Sequence, residues 1–133
     1  MRFEYVPYGG NWMPLIPVAF AHGKNRLPVV GALVDTGASH SLLPMEMAVP
    51  LGISVDVADQ METQVAGGGQ CFIYPSPTKI EYVLQDPVSG REHSWNGNVF
   101  FALGQKFVLL GHHQCLEKFD VMFRGKERVL EIE

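Results

Sequence analysis

Short apolar runs separated by turn-forming residues recur along the whole chain. Residues 15–21 form one such run and residues 27–34 form a second, with a His-Gly-Lys-Asn segment at residues 22–25 between them. Two apolar runs joined by a short polar turn are typical of a β-hairpin. The sequence therefore predicts a hairpin whose second strand ends at Val34.

The same strand-like pattern continues to the C-terminus. It predicts strands at 62–65 and 70–74, a hairpin of 79–85 and 91–95 around a turn at 86–90, core strands at 99–103 and 107–110, and a closing hairpin of 120–123 and 128–132 around Gly125. Asn-Gly at residues 96–97 is a strong turn signal. Many short, evenly spaced strands predict an all-β barrel or sandwich.

Two short helical segments interrupt this pattern. Pro44 is well placed at the first position of a helix that should stop near Pro50 or Gly52, because proline is favoured at a helix start. Residues 113–119 predict one or two further helical turns. The predicted architecture is thus all-β with one or two short helices.

Composition and charge narrow the classes of protein that fit this pattern. The chain has 133 residues, of which 47% are hydrophobic and 18% charged, and these values predict one globular domain at residues 1–133. The net charge is −4 and no basic run is present, which argues against nucleic acid as a partner.

The sequence also bears on location. It has no apolar stretch near the roughly 18–20 residues needed to cross a bilayer, so no membrane association is expected. The first residues lack the layout of a secretory signal, and a cytoplasmic protein is the expectation. Cys71 and Cys115 fit that location as free thiols, with one disulfide between them left open.

Candidate chemistry lies directly after the second predicted strand, at Asp35. A carboxylate at the end of an apolar strand is costly unless hydrogen bonds satisfy it. Thr36 can donate a hydroxyl nearby, and Gly37 leaves room for backbone amides because it has no Cβ. Ala38 and Ser39 are small and leave space above Asp35 for a substrate. Asp-Thr-Gly is also an ordinary turn sequence, so the triplet alone leaves both interpretations open.

The context of the triplet resembles a known family. Residues 34–39 (Val-Asp-Thr-Gly-Ala-Ser) resemble the active-site signature of the retropepsins, the retroviral-type aspartic proteases. Residues 66–70 (Ala-Gly-Gly-Gly-Gln) resemble the tip of the flap that closes over substrate. Residues 108–111 (Val-Leu-Leu-Gly) resemble the strand behind the catalytic loop. The resemblance covers roughly residues 15–132.

This resemblance implies a closed retropepsin-like barrel with a flap hairpin. It implies catalytic roles for Asp35, Thr36 and Gly37, with no cofactor and no metal. The residues expected to contact substrate are Ala38, Ser39, Ala66, Gly67, Gly68 and Gly69.

The sequence departs from the retroviral pattern at three points. The spacing between Asp35 and the glycines is longer, which predicts an enlarged flap or preceding loop. His112 stands where retroviral enzymes usually have Arg, and Ser39 stands where they usually have a second Asp. The resemblance implies that neutral groups replace an ion pair here.

A single copy of the triplet has a consequence for assembly. Aspartic proteases use two carboxylates that share one proton, because two like charges at about 3 Å cannot both ionise. None of the remaining aspartates is followed by Thr-Gly or Ser-Gly; they are Asp56, Asp59, Asp86 and Asp120. The second carboxylate must then come from Asp35 of another copy, and a two-fold homodimer supplies it. The sequence predicts a homodimeric aspartic endopeptidase acting on proteins or peptides.

Other interpretations remain open at this point. The same fold can serve as a non-catalytic dimerisation or peptide-binding module, or as a regulatory protease with one partner. The glycine run can be an ordinary exposed turn. His112, His113 and Cys115 offer possible metal ligands, but no second ligand cluster accompanies them. His40 with Ser39 or Ser41 suggests Ser-His catalysis only weakly, since sequence neighbours rarely face each other and no third member is evident.

Overall fold

The computed structural model describes residues 1–64 and 69–133, and the regular secondary structure of these residues is almost all short strands. In chain order these are β1 (Arg2–Glu4), β2 (Val6–Tyr8), β3 (Asn11–Met13), β4 (Leu15–His22), β5 (Asn25–Arg26), β6 (Val30–Val34), β7 (Leu42–Pro44), β8 (Met61–Gln64), β9 (Gln70–Pro75), β10 (Ile80–Gln85), β11 (Glu92–Gly97), β12 (Phe100–Ala102), β13 (Val108–Leu110), β14 (Val121–Arg124) and β15 (Val129–Ile132). The predicted all-β class is therefore confirmed.

The predicted hairpins form with local partners. Strands β4 and β6 pair antiparallel, β10 pairs with β11, and β14 pairs with β15. The Asn-Gly turn predicted at residues 96–97 is wrong, because Gly97 ends β11 opposite Ile80. A Cβ at Gly97 would lie 2.9 Å from the Gln114 carbonyl oxygen, so the glycine allows a close tertiary contact here.

One large sheet positions the segment that carries the chemistry. Its strand order is β11-β10-β4-β6-β13-β7-β12-β9-β8, with β5 added to β4. Strand β6 lies in the interior of this order, between antiparallel β4 and parallel β13. Within the described residues the path has two open ends, so closure into a barrel stays a prediction.

Aromatic side chains of β4, β10 and β11 pack against one another and stabilise the large sheet. Phe20 and Tyr82 are fully buried and meet edge to face, with ring centroids 5.2 Å apart. Trp95 stacks on Tyr82 at 5.0 Å and donates its indole N–H to the Gln114 carbonyl. Aromatic pairs of this kind add to the hydrophobic stabilisation. They link β4, β10 and β11 to the residues that follow β13.

A second, three-stranded sheet joins the two ends of the chain in the order β1-β15-β14. The Met1 amino group donates to the Ile132 carbonyl at 2.7 Å. Phe3 and Leu130, which face each other across β1 and β15, are both buried on the core side of this sheet. Strands β2 and β3 form a separate hairpin.

The helical segments of the described residues are single 3-10 turns at Met45–Met47, Val57–Asp59 and Leu116–Lys118. The first was predicted to begin at Pro44 and to stop near Pro50 or Gly52, but Pro44 ends β7 and the helical turn covers only Met45–Met47. The third is shorter than the predicted 113–119. The second was not predicted, although its cap is readable from sequence because the Asp56 carboxylate accepts the Ala58 N–H at 2.9 Å. No helix in residues 1–64 or 69–133 has the length and apolar character to cross a membrane.

Candidate active site

Asp35 follows the last residue of β6 and is held from both sides. The Val34 N–H donates to the Pro14 carbonyl at 3.1 Å, just before β4. The Asp35 N–H donates to the Leu110 carbonyl at 3.0 Å, at the end of β13. These bonds come from the two neighbours of β6 in the sheet, so the backbone of Asp35 is fixed at the end of an interior strand.

The turn after Asp35 closes on its carboxylate. The Gly37 N–H donates to Asp35 Oδ1 at 2.9 Å, and the Ala38 N–H donates to the Asp35 carbonyl at 3.2 Å. A Cβ at Gly37 would lie 3.2 Å from Oδ1, tighter than most such contacts, so glycine suits this position. Asp35 as a whole residue is half-buried, and the bond to Oδ1 is exposed. Among the described residues Oδ1 has this one donor and Oδ2 has none.

Thr36 contributes through its backbone. Its hydroxyl makes no hydrogen bond within the described part of the chain. Its carbonyl oxygen lies 2.7 Å from His112 Nε2. A carbonyl oxygen only accepts, so this geometry requires the proton on Nε2. The expected hydroxyl donation by Thr36 is absent from these residues, and its catalytic role stays a prediction.

Residues 111–113 run along the turn and hold it by backbone bonds. The His112 N–H donates to the Ala38 carbonyl at 3.0 Å, and the His113 N–H donates to the Ser39 carbonyl at 2.8 Å. The Gly111 N–H donates to the hydroxyl of Ser41, which is fully buried, at 3.1 Å. The expected position of the Leu-Leu-Gly segment behind the Asp35 turn is thus observed.

The backbone of Gly111 lies very close to the backbone of Ala38 and His40. A Cβ there would lie 2.5 Å from both the carbonyl carbon and the carbonyl oxygen of His40, and 2.8 Å from the Ala38 oxygen. Real Cβ atoms do not approach backbone this closely. The glycine is therefore what allows residues 111–113 to lie against the turn.

Ser39 and His40 interact directly. Ser39 Oγ and His40 Nδ1 are 3.0 Å apart, so the expectation that these sequence neighbours do not face each other is wrong. The His40 ring packs edge-on against Phe100 at 5.0 Å and lies 5.1 Å from the His113 ring. Ser39 is exposed and Ala38 is half-buried beside Asp35. Their contact with substrate remains a prediction.

The predicted flap coincides with the β8–β9 hairpin. These strands pair antiparallel up to Gln64 opposite Gln70, so residues 65–69 connect them. Gly69 is exposed. Ala66, Gly67 and Gly68 lie outside the described residues. Their predicted role in covering substrate stays a prediction.

Neither cysteine is paired, and the buried titratable groups Cys115 and Tyr82 are neutral. Cys71 and Cys115 are both free thiols, as expected. Burial raises the pKa of the Cys115 thiol to about 12, and burial likewise raises the pKa of Tyr82. Both groups therefore stay protonated over the range in which carboxylates titrate.

The sequence did not indicate the bonds that His112 and Ser41 make in this region. His112 was noted as a replacement for Arg, but its bond to Thr36 spans 76 positions and no local pattern announces it. Ser41 begins a Ser-Leu-Leu run, and a hydroxyl at the head of a buried strand was the available signal. A buried hydroxyl needs a partner, and the Gly111 N–H provides it.

The Asp35 turn contributes one carboxylate, and this limits the acid–base steps that the turn can perform. An ionised carboxylate accepts a proton from water, and a protonated one donates to a carbonyl. Asp35 is the carboxylate of this turn, so hydrolysis that uses one group in each of these states needs a second acid or base beside Asp35.

Comparisons with known proteins bear on the fold. No protein-family model matches the sequence, and no curated protein matches it significantly. Among solved structures, a retropepsin-like aspartic protease from Rickettsia conorii is similar over 100% of this chain and 98% of its own, with a TM-score of 0.57 and 23% identity.

The retroviral protease-like domain of Ddi1 from Leishmania major is also similar. The match covers 91% of this chain and 88% of that domain, with a TM-score of 0.53 and 20% identity. At these identities the similarity concerns the architecture. The chain therefore has the retropepsin-like fold.

Proposed function

We propose that this protein is an aspartic endopeptidase whose site contains Asp35 from each of two copies of the chain. The observation that carries the proposal is the Asp35 carboxylate at the end of an interior strand. Its backbone is bonded to Leu110 and its Oδ1 to the Gly37 N–H. This turn fixes one carboxylate oxygen and leaves the other without a partner among the described residues, as acid–base chemistry requires.

The proposed reaction uses the two carboxylates in complementary states. The ionised one takes a proton from water, whose oxygen forms a bond to the scissile carbonyl carbon. The protonated one donates to the carbonyl oxygen. The C–N bond then breaks as a proton from the pair passes to the leaving nitrogen, and one hydroxyl of the tetrahedral intermediate returns its proton to the pair, which regenerates the shared-proton state. The pair titrates as a unit, so its pKa values belong to both members. Thr36 and Gly37 keep Asp35 in place, and no cofactor takes part.

We propose that the second copy pairs at the edge of the three-stranded sheet. Strand β14 is the end of the order β1-β15-β14, and its other edge is unpaired among the described residues. Phe123 lies opposite buried Leu130, on the core side of the sheet, yet it is 41% exposed. An unpaired strand edge can add another strand. A further β14 placed antiparallel would cover this ring.

Charge is compatible with that self-pairing. Arg124, at the C-terminal end, is the single charged residue of β14, and it pairs with Glu131 of β15 at 3.0 Å. An antiparallel two-fold arrangement places the two copies of Arg124 at opposite ends of the seam, so like charges do not meet. We therefore propose β14 as the seam of the homodimer.

Substrate is proposed to bind as an extended peptide in the cleft between the two copies. Ala38 and Ser39 would contact the substrate on the side of the Asp35 turn, and residues 66–69 would cover its other side. Strand-like backbone hydrogen bonds would supply affinity. Closure of a glycine-rich hairpin tip would exclude water from the reacting atoms.

The test compares the wild-type protein with Asp35→Asn on an unfolded protein and on a peptide library between pH 4 and 7. Wild type should cleave, and Asp35→Asn should lose at least a thousandfold in kcat/KM while keeping its fold by circular dichroism. Asp59→Asn, at an exposed aspartate of the 57–59 turn, is the matched control and should retain activity. Equal cleavage by wild type and Asp35→Asn would exclude Asp35 as the catalytic group, and no cleavage by either protein would favour a non-catalytic peptide-binding or dimerisation module.

A further inference from the structure

The His112 side chain contacts the Asp35 turn at a point that the proposed chemistry does not use. Nε2 lies 2.7 Å from the Thr36 carbonyl oxygen, the shortest of the contacts that join residues 110–113 to this turn. Thr36 stands between Asp35, the proposed acid–base group, and Gly37, whose N–H binds the Asp35 carboxylate. The ring therefore bonds to the Thr36–Gly37 peptide unit, which also carries the N–H that binds Asp35 Oδ1.

The other hydrogen bonds between residues 110–113 and the turn do not involve the Thr36 carbonyl. Backbone N–H groups of residues 112 and 113 bind the carbonyls of Ala38 and Ser39, and the Leu110 carbonyl binds the Asp35 N–H. Within the described residues, the Thr36 carbonyl has the His112 ring as its partner. Rotation of the 36–37 peptide would move the Gly37 N–H away from Oδ1. The ring bond opposes that rotation.

We infer that His112 is a positioning residue, which fixes the Asp35 carboxylate by holding the Thr36 carbonyl through Nε2–H. This inference rests on the proposed function for its catalytic consequence, whereas the structural consequence at Gly37 is independent of it. Both the neutral Nε2–H tautomer and the imidazolium donate from Nε2, so the bond does not require the ring to be charged. A neutral donor of similar reach should therefore replace it.

Two variants of similar length separate donation from shape. His112→Gln retains an N–H donor at the end of the side chain, and His112→Met has none. Met is expected to lower kcat between about tenfold and a hundredfold, with KM changed by less than about twofold, because a small misplacement of a reacting group is costly while substrate contacts remain. Gln is expected to restore kcat to within about threefold of wild type.

A second histidine supplies the control. His22 Nδ1 also lies 3.0 Å from a backbone oxygen, that of Leu51, at the end of β4 opposite to Leu15 and the Asp35 turn. His22→Met removes a bond of the same kind at a distance from the turn. It should change stability without changing kcat of the folded protein by more than about twofold.

The activity-independent readout is amide hydrogen exchange at Gly37, measured by NMR. His112→Met should accelerate exchange of the Gly37 N–H at least tenfold, and His112→Gln and His22→Met should not.

Equal kcat and equal Gly37 exchange in His112→Met and wild type would overturn the inference while Asp35→Asn still tests the protease. If wild type proves inactive, accelerated Gly37 exchange in His112→Met alone supports the positioning role, and unchanged exchange overturns it. If His112→Met does not fold, His112→Gln decides: wild-type kcat and exchange support the role, and loss of both overturns it.

Discussion

The Cys115 thiol is 1% exposed in the core behind the Asp35 turn. Burial disfavours the thiolate and raises the pKa of this group from 9.0 to about 12. In the unfolded chain the thiol ionises near its ordinary pKa, so between pH 9 and 12 the folded state binds more protons than the unfolded state. Stability is then fully present below pH 9 and falls as pH rises towards 12.

We therefore expect the free energy of unfolding to decrease above pH 9, with a slope approaching about 1.4 kcal/mol per pH unit from this one group. Urea unfolding at pH 7, 9, 10 and 11 measures it. Cys115→Ala should show a smaller decrease, and Tyr82, whose pKa is also raised, accounts for the part that remains. A slope equal to that of wild type in Cys115→Ala would contradict the assignment to this thiol.

Gly111 offers a sharper test of how the turn is packed. Gly111→Ala would place a methyl group 2.5 Å from the His40 carbonyl, so residues 111–113 must move away from the turn. We expect a loss of about 3 kcal/mol or more in the free energy of unfolding, because backbone must shift to admit the methyl group. Gly125→Ala, where a Cβ would meet nothing within 4 Å, is the control and should change stability by less than about 0.5 kcal/mol. Urea unfolding of both variants decides.

Individual residues differed in how far the sequence could predict them. Asp35 and Gly37 were predictable, because a carboxylate, a turn and the glycine whose N–H binds it are adjacent in the chain. His112 was not, since its partner lies 76 positions away and imidazole binds many kinds of acceptor. Ser39 and His40 were misjudged for a local reason, because the turn brings two neighbouring side chains to the same side.

Strands were predictable where the apolar pattern and a turn signal agree. Strands β4, β6, β10 and β11 follow that rule. The last helical segment is shorter than its pattern suggests, because Gln114 takes a positive φ of 54° and only Leu116–Lys118 is helical. In that conformation the Gln114 carbonyl accepts the Trp95 indole N–H and its side chain accepts the Asn98 N–H. Distant partners thus override the local helical tendency.

The proposed seam makes a prediction at β14. Phe123→Asp replaces a ring that a second copy would bury with a carboxylate. An unpaired buried charge is strongly unfavourable. We expect the dissociation constant of the dimer, measured by sedimentation, to increase at least a hundredfold. Activity at low protein concentration should be lost in parallel. Val88→Asp is the matched control, because Val88 is also an exposed apolar residue and lies in the β10–β11 turn. Wild-type dimerisation in Phe123→Asp would exclude β14 as the seam.

Across the whole molecule, the order of strands in the sheet was beyond local patterns. Parallel pairing of β6 with β13 and of β7 with β12 joins segments that are far apart in sequence. The resemblance to retropepsins placed residues 108–111 behind the Asp35 turn but gave no strand order, and the similarity to solved structures supports the retropepsin-like fold as a whole. Hydrophobic periodicity alone predicts strands but not their neighbours.

A site shared between two chains predicts how mixtures behave. Wild-type protein at a fixed concentration is incubated with increasing Asp35→Asn under conditions that allow subunits to exchange. A mixed dimer contains one competent carboxylate and should be inactive. Random pairing gives each wild-type chain about one chance in two of a wild-type partner in an equal mixture, and about one in ten at ninefold excess. Activity should therefore fall to about half and then to about a tenth. The double variant Asp35→Asn/Phe123→Asp, which should not pair, serves as the control and should leave activity unchanged. Constant activity at every ratio of wild type to Asp35→Asn would mean that each chain works alone, and the two-chain site would have to be abandoned.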